Sequence, residues 1–314
     1  MTTLVSVVMS VYNEERVVAE TIESILCQTG IEFEFIIVND GSTDGSGAVL
    51  DAYASRDARL RVINQSNQGL TRALATGCAA ATGVFIARQD AGDRSLPGRL
   101  KQQAKLLCEN SGVVLATCGT RFIGPAGEEL YTVAPSSAEL MTGLSSLELR
   151  TIRGPSHHGS TMFRRDAYER VGGYRAAFRV AQDLDLWLRL VEIGPCIADR
   201  WPGYCAVLSP HGISSRRREE QIKTAHTIIR CARTRRQGGE DGGTIAEWQA
   251  SGRDFDAGWR GSNALQLARF HYFLGSVLRR KQPGIARNYY REAIRANALF
   301  LPAWFGLMRT LVSK

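Results

Sequence analysis

Three apolar runs in the first third of the chain each end in a polar cluster, and each is followed by a helical pattern. Val5-Ser6-Val7-Val8-Met9-Ser10-Val11 runs into Tyr12-Asn13-Glu14, and Phe33-Glu34-Phe35-Ile36-Ile37-Val38 runs into Asn39-Asp40-Gly41-Ser42. Val84-Phe85-Ile86 leads to Asp90-Ala91-Gly92-Asp93. Between them, the spacing of Val18, Ile22, Ile25 and Leu26 predicts a first helix, and Val49, Leu50 and Tyr53 predict a second with Asp44 as its cap. Leu60-Arg61-Val62-Ile63 reads as a further short strand, and Gly69 opens a helix that runs to about Ala81. Strict alternation of this kind specifies the α/β class, with a doubly wound, mostly parallel sheet and short turns. Ligands of such sheets bind at the carboxyl ends of the strands. The three polar clusters fall there, so they line a crevice for a polar ligand.

Several chemistries are excluded. No Gly-x-Gly-x-x-Gly follows the first strand and no Gly-x-x-x-x-Gly-Lys-Ser/Thr is present, so a nucleotide is held neither by a dinucleotide fingerprint nor by a P-loop. No apolar run approaches the ~20 residues that span a bilayer. Seven cysteines without a Cys-x-x-Cys pair fit reduced thiols and a cytoplasmic setting better than a disulfide framework or a zinc site. The net charge of +8 is uneven: Met1 to Gly212 carries 20 Lys+Arg against 23 Asp+Glu, and Ile213 onward 19 against 8. That pattern argues against nucleic-acid binding. It allows a basic C-terminal region to make peripheral contact with an anionic membrane surface, or to be an ordinary solvated helical face.

The strand and helix patterns continue to about residue 212, with Tyr204 to Leu208 closing the sheet. Residues 1–215 are therefore expected to form one domain and 216–314 a basic helical module. Gly- and polar-rich residues 237–262 read as a flexible connection. Leu274-Gly275, Ala286, Tyr290, Ala293 and Pro302 fit either a degenerate tetratricopeptide-type hairpin or plain bundle packing. For Asp90 and Asp93 two readings also stand. They hold a divalent cation and its phosphates, or Asp93 or Ser95 merely caps the helix after Pro97.

The ordered set of motifs resembles family 2 glycosyltransferases. It comprises Val5 to Glu15, Phe35 to Asp44, Asn67-Gln68-Gly69-Leu70-Thr71-Arg72, Asp90 through Leu96-Pro97-Gly98-Arg99-Leu100, and Gly172-Gly173-Tyr174 with Gln182-Asp183-Leu184-Asp185-Leu186-Trp187. The resemblance spans about residues 4–212 and implies a GT-A fold followed by the helical module. It implies an inverting, hexosyltransferase-type enzyme that moves a sugar from a UDP- or other nucleoside-diphosphate sugar to a hydroxyl of a glycan or lipid-linked acceptor, in polysaccharide or glycolipid synthesis. Ser10, Tyr12, Glu14, Asp40, Arg72, Arg88, Asp90 and Arg216 fall at donor-contacting positions. Asp183 falls at that of the catalytic base, and His157 and His158 lie on the acceptor side. Asp90, Asp93 and His211 are the candidate ligands of Mg²⁺ or Mn²⁺, with Ser214, Ser215 and Arg216 on a loop over the diphosphate.

Three departures stand out: Ser10 replaces the usual Pro, Gln182 the Glu beside the base, and Gly92 the second acid of Asp-x-Asp. Gly92 keeps open the reading of a nucleotide-sugar-binding protein without catalysis; further off stands a sugar nucleotidyltransferase, which also uses a doubly wound sheet and a metal.

Overall fold

The computed structural model describes residues 4–210, 218–251 and 263–312. Nine strands among these residues form one sheet: β1 (Leu4–Val11), β2 (Glu32–Asp40), β3 (Leu60–Gln65), β4 (Phe85–Arg88), β5 (Arg94–Ser95), β6 (Leu115–Ile123), β7 (Glu129–Val133), β8 (Thr161–Arg164) and β9 (Cys196–Val207). Their order is β3-β2-β1-β4-β8-β6-β9-β5, with β7 beside β6. β1 pairs in parallel with β2 and β4, and β2 with β3, as the alternation predicts. β8 then enters antiparallel to both β4 and β6, and β5 antiparallel to β9.

The continuous apolar runs arise because helices cover both faces. On one face Val8, Ile36 and Ile86 pack with Leu74 of α3 (Leu70–Ala79) and Trp187 of α7 (Gln182–Val191). On the other, Val7, Met9, Phe35 and Ile37 meet Ile22 of α1 (Val18–Leu26), Leu50 of α2 (Ser46–Ala54) and Leu100 of α4 (Arg99–Glu109). Alternate strand residues thus serve opposite cores. The N-cap of α2 is Gly45; Asp44, expected there, stands one residue earlier, and its Oδ1 accepts the N–H of the first helical residue, Ser46, at 3.0 Å. Neither Asp93 nor Ser95 caps α4, which starts behind Gly98.

The chain divides into two compact units, the first made of residues 1–121, 132–206 and 222–252, the second of 122–131, 207–221 and 253–314. The expected edge at 215/216 lies outside the described residues. α5 (Ser137–Ser145), α6 (Arg165–Arg170), α8 (Arg218–Arg236) from Ile222 onward, and α9 (Gly242–Ala250) complete the first unit. Buried Asp185 on α7 pairs with Arg175 and Arg189; Arg175 reaches Asp241, which pairs with Arg235, which pairs with Glu192. Asp185 is thus a buried structural anchor. Arg233 and Arg236 of α8 donate to the carbonyls of Leu147, Leu144 and Ser145. α9 also occupies the middle of the stretch read as a flexible connection, held by a hydrogen bond from Trp248 Nε1 to the Ala177 carbonyl. Polar composition hid this helix because one aromatic and one acid, Trp248 and Asp241, fix it by long-range contacts. In the second unit Leu130 packs with α10 (Asn263–Leu278) and α11 (Pro283–Ala296), and α12 (Leu301–Val312) follows.

Candidate active site

The first two strand ends are clamped to each other by side chains bonded to backbone. Asn13, in a left-handed conformation at φ 56°, accepts the Thr43 N–H on Oδ1 at 2.7 Å, and its own N–H donates to Ser42 Oγ at 3.1 Å. The Glu14 N–H donates to Ser46 Oγ at 2.8 Å. Ser10 is half-buried and Tyr12 is exposed at this edge. Asp40 is buried, and its oxygens accept from Gln65 Nε2 (2.7 Å), Gln68 N–H (2.9 Å) and Gly69 N–H (2.8 Å). It thus fixes the loop between β3 and α3. Arg72, on the first turn of α3, is exposed.

The turn after β4 is built on buried cations. Arg88 is fully buried; it donates to the carbonyls of Val8 and Gln89 and pairs with Asp90 Oδ1 at 2.5 Å. Arg99, also fully buried, donates to Gln89 Oε1, Ser95 Oγ and the Arg88 carbonyl, and lies 5.0 Å over the Tyr204 ring. Arg88 therefore faces Asp90 and His158 and does not itself reach the crevice, contrary to a direct donor contact. Burial pushes the Asp90 carboxyl up, but Arg88 and the two adjacent histidines outweigh it and hold it below the ordinary carboxylate value. Gly92 adopts φ 89° and its N–H donates to Thr21 Oγ1 at 2.9 Å. An L-residue is strained there, so the turn lacks the second acid for a backbone reason.

The two histidines separate. His158 turns inward, 2.7 Å from the Tyr174 hydroxyl and accepting from Arg88 Nε at 3.3 Å. Burial and Arg88 push its pKa down to about 3, so it stays neutral and its place is structural rather than on an acceptor surface. His157 faces the acids: Nδ1 lies 3.6 Å from Asp90 Oδ2 and 3.7 Å from Asp93 Oδ2. These three ligand atoms fall within 4.8 Å of one another. His157 Nδ1 accepts the Gly159 N–H at 3.1 Å, so in this arrangement that nitrogen carries a lone pair. Two carboxylates and an imidazole suit Mn²⁺ or a similar divalent ion. His157 thus joins a ligand-type cluster that its surrounding sequence does not announce. The loop residues His211, Ser214, Ser215 and Arg216 lie outside the described residues.

Tyr204 is the residue that sequence reasoning missed. Its hydroxyl donates to Asp93 Oδ2 at 3.0 Å and accepts the Asp90 N–H at 3.1 Å, while its ring stacks on His157 at 5.3 Å. Burial holds its pKa well above the usual value, so it remains a donor. A Cβ on Gly159 would fall 1.9 Å from the Tyr204 oxygen, so only glycine lets this ring in. The Gly in His157-His158-Gly159 was the available signal; its partner lies across the sheet on β9.

Asp183 sits on the first turn of α7, behind Ala181 in a left-handed conformation at φ 54°. Burial raises its pKa; Asp90 raises it further and His157 opposes, so all three groups share one electrostatic environment. Glu14 is pushed up to about 7 by burial and by Asp44 and Asp93. The crevice thus holds a carboxylate kept ionised by arginine and two carboxyls made more basic. Such groups can hold a diphosphate through a bridging metal ion and take up a proton.

A glycosyl transferase family 2 model matches residues 6–172. EpsE of Bacillus subtilis, named as a glycosyltransferase, is 37% identical over 194 residues, 60% of this chain and 67% of EpsE. The O-antigen biosynthesis glycosyltransferase WbnJ of Escherichia coli is 28% identical over 73% of this chain and 86% of its own length. The chain spans only 34% of EpsJ, another B. subtilis relative, at 41% identity. Among solved structures, S. aureus TarS 1-349 in complex with UDP superposes with TM-score 0.57 and 16% identity over 99% of this chain and 90% of that one. The mannosyltransferase PcManGT of Pyrobaculum calidifontis, in complex with GDP-Man and Mn²⁺, gives TM-score 0.58 at 18% identity over 99% and 85%. These two share the fold, a GT-A type sheet followed by helices. The motifs at the strand ends and the family match together make this chain a member of glycosyl transferase family 2, and hence a glycosyltransferase.

Proposed function

We propose that the protein transfers a sugar from a nucleoside-diphosphate sugar to a hydroxyl of a glycan or lipid-linked acceptor, with inversion and with Asp183 as base. The observation that carries this reading is the cluster of Asp90, Asp93 and His157 at the strand ends of a family 2 sheet, with burial raising the nearby Asp183 carboxyl. Asp183 takes the proton of the acceptor hydroxyl as its oxygen bonds to the anomeric carbon, and the bond to the diphosphate breaks with its electron pair leaving on the nucleotide. Burial of Asp183 strengthens it as a proton acceptor relative to an exposed aspartate. Asp40 and its loop, with Tyr12 and Arg72, frame the nucleoside; Asp90 and Asp93 face the diphosphate. TarS with UDP or UDP-GlcNAc and PcManGT with GDP-Man support a sugar nucleotide as donor.

Asp90, Asp93 and His157 would hold a divalent cation, with ligation exchanging the Gly159 hydrogen bond of Nδ1. When bound, such an ion offsets the negative charge that develops on the departing diphosphate. Tyr204 orients Asp93, and Arg88 keeps Asp90 ionised.

A thermal-shift screen of nucleoside diphosphates and nucleotide sugars, with and without Mg²⁺ or Mn²⁺, identifies the donor, because ligands of the native state raise its melting temperature. With that donor, Asp183→Asn is expected to slow transfer about 10³-fold while nucleotide affinity stays unchanged. Full transfer by Asp183→Asn removes the proposed base.

A further inference from the structure

We infer that α12 is a membrane seat: its outer apolar face lies on an anionic lipid surface, drawn there by the arginines of the same unit. α12 is apolar on two opposite sides. Ala303 and Thr310 are buried, and a Cβ on Gly306 would lie 2.4 Å from the ring of fully buried Tyr290 on α11. That side closes the helix cluster. The other side carries Leu301 (63% exposed), Trp304 (44%), Phe305 (60%), Met308 (50%) and Leu311 (62%), with Leu299 (89%) just before it. At 100° per residue Leu301, Trp304, Phe305, Met308 and Leu311 fall within one stripe, opposite Ala303, Gly306 and Thr310. A contiguous exposed stripe of this size marks a contact surface, since a soluble helix places polar residues there.

Charge selects the partner. Residues 263–312 contain eight Lys or Arg against one acid, Glu292. Arg280, Lys281, Arg291 and Arg309 are exposed, while Arg295 pairs with Glu292. An apolar stripe of Trp, Phe, Leu and Met in a strongly basic setting is the combination that binds anionic interfaces, where insertion and charge attraction add. The arginines near the C-terminal end of α8 do not supply this charge, because Arg233, Arg235 and Arg236 are spent on carbonyls and on Glu192. No helix among the described residues is long and apolar enough to cross a membrane, so the contact is interfacial. The inference needs no donor or acceptor and stands apart from the transferase reading.

The test is co-sedimentation of the full chain with vesicles of phosphatidylcholine plus phosphatidylglycerol and with phosphatidylcholine alone, alongside light scattering for oligomeric state. The wild type is expected to pellet with the anionic vesicles, less so at high salt, and Phe305→Glu/Met308→Glu to weaken binding at least about tenfold. Both positions are exposed, and unchanged melting of the variant shows that the fold persists; Phe305→Ser/Met308→Ser serves as a milder second variant. Failure of the wild type to bind, or equal binding by both variants, overturns the inference. So does a dimer that the substitutions dissociate without any lipid binding, which would assign the face to a second copy.

Discussion

The turns after β1 and β2 and the turn after β4 stand at neighbouring strand ends, yet they are held by different forces. Around Asn13, Ser42, Ser46 and Asp40, side-chain oxygens accept backbone N–H groups, and no buried cation takes part in these bonds. Around Asp90, two fully buried arginines and a buried neutral histidine stand directly behind the turn. The first arrangement shapes a pocket rim and costs little charge desolvation. The second concentrates charge, which low polarity makes costly to unbalance and effective when a charged ligand arrives. In the proposed function the first side frames the nucleoside and the second handles the diphosphate.

Breaking the charged side should cost most. Arg88→Met leaves Asp90 without its partner and empties the donors to Val8 and Gln89, and should destabilise the fold by about 3 kcal/mol in urea unfolding. A loss near zero would mean that Asp90 is paired mainly by the histidines. On the neutral side, Asp40→Asn places an NH₂ against either the Gly69 N–H or the Gln65 and Gln68 donors. About 2 kcal/mol and a weakened nucleotide affinity are expected, read by unfolding and by calorimetry. Equal costs for the two variants would erase the contrast between the two turns.

Glu14 touches both sides, since Asp44 and Asp93 raise it together with burial. Its folded pKa of about 7 lies above the ordinary 4.5, so its contribution to stability is fully present below pH 4.5 and is lost as pH rises through 7. Glu14→Gln should therefore raise the melting temperature above pH 7 and leave it unchanged near pH 4.5. A flat difference across that range would mean that Glu14 is not coupled to the acids around it.

Much of the first side was legible in the sequence. Apolar runs, helical spacing and Asp44 at the start of α2 follow from local pattern, and β1 to β4 appear in the expected order. The charged side was legible only as its acids. Tyr204 reaches Asp93 from β9, and β5 brings them together through an antiparallel pair with Tyr204 opposite Ser95. No local pattern predicts that register. His157 and His158, adjacent in sequence, diverge because a short 3₁₀ turn aims one at the acids and the other at the core. The sheet beyond β4 also departs from simple alternation, since β8 enters antiparallel to both β4 and β6. Helix α9 was missed because its glycine-rich start outweighed Trp248.

The central claim is that Asp90, Asp93 and His157 hold a cation together with the donor diphosphate. Calorimetric titration of Mn²⁺ into the protein, with and without the nucleoside diphosphate found in the screen, tests it directly in wild type and His157→Ala. The account predicts that nucleotide and Mn²⁺ tighten each other and that His157→Ala weakens Mn²⁺ binding at least about tenfold, as loss of one ligand should. Unaltered Mn²⁺ affinity in His157→Ala, or nucleotide binding indifferent to the metal in wild type, would contradict it.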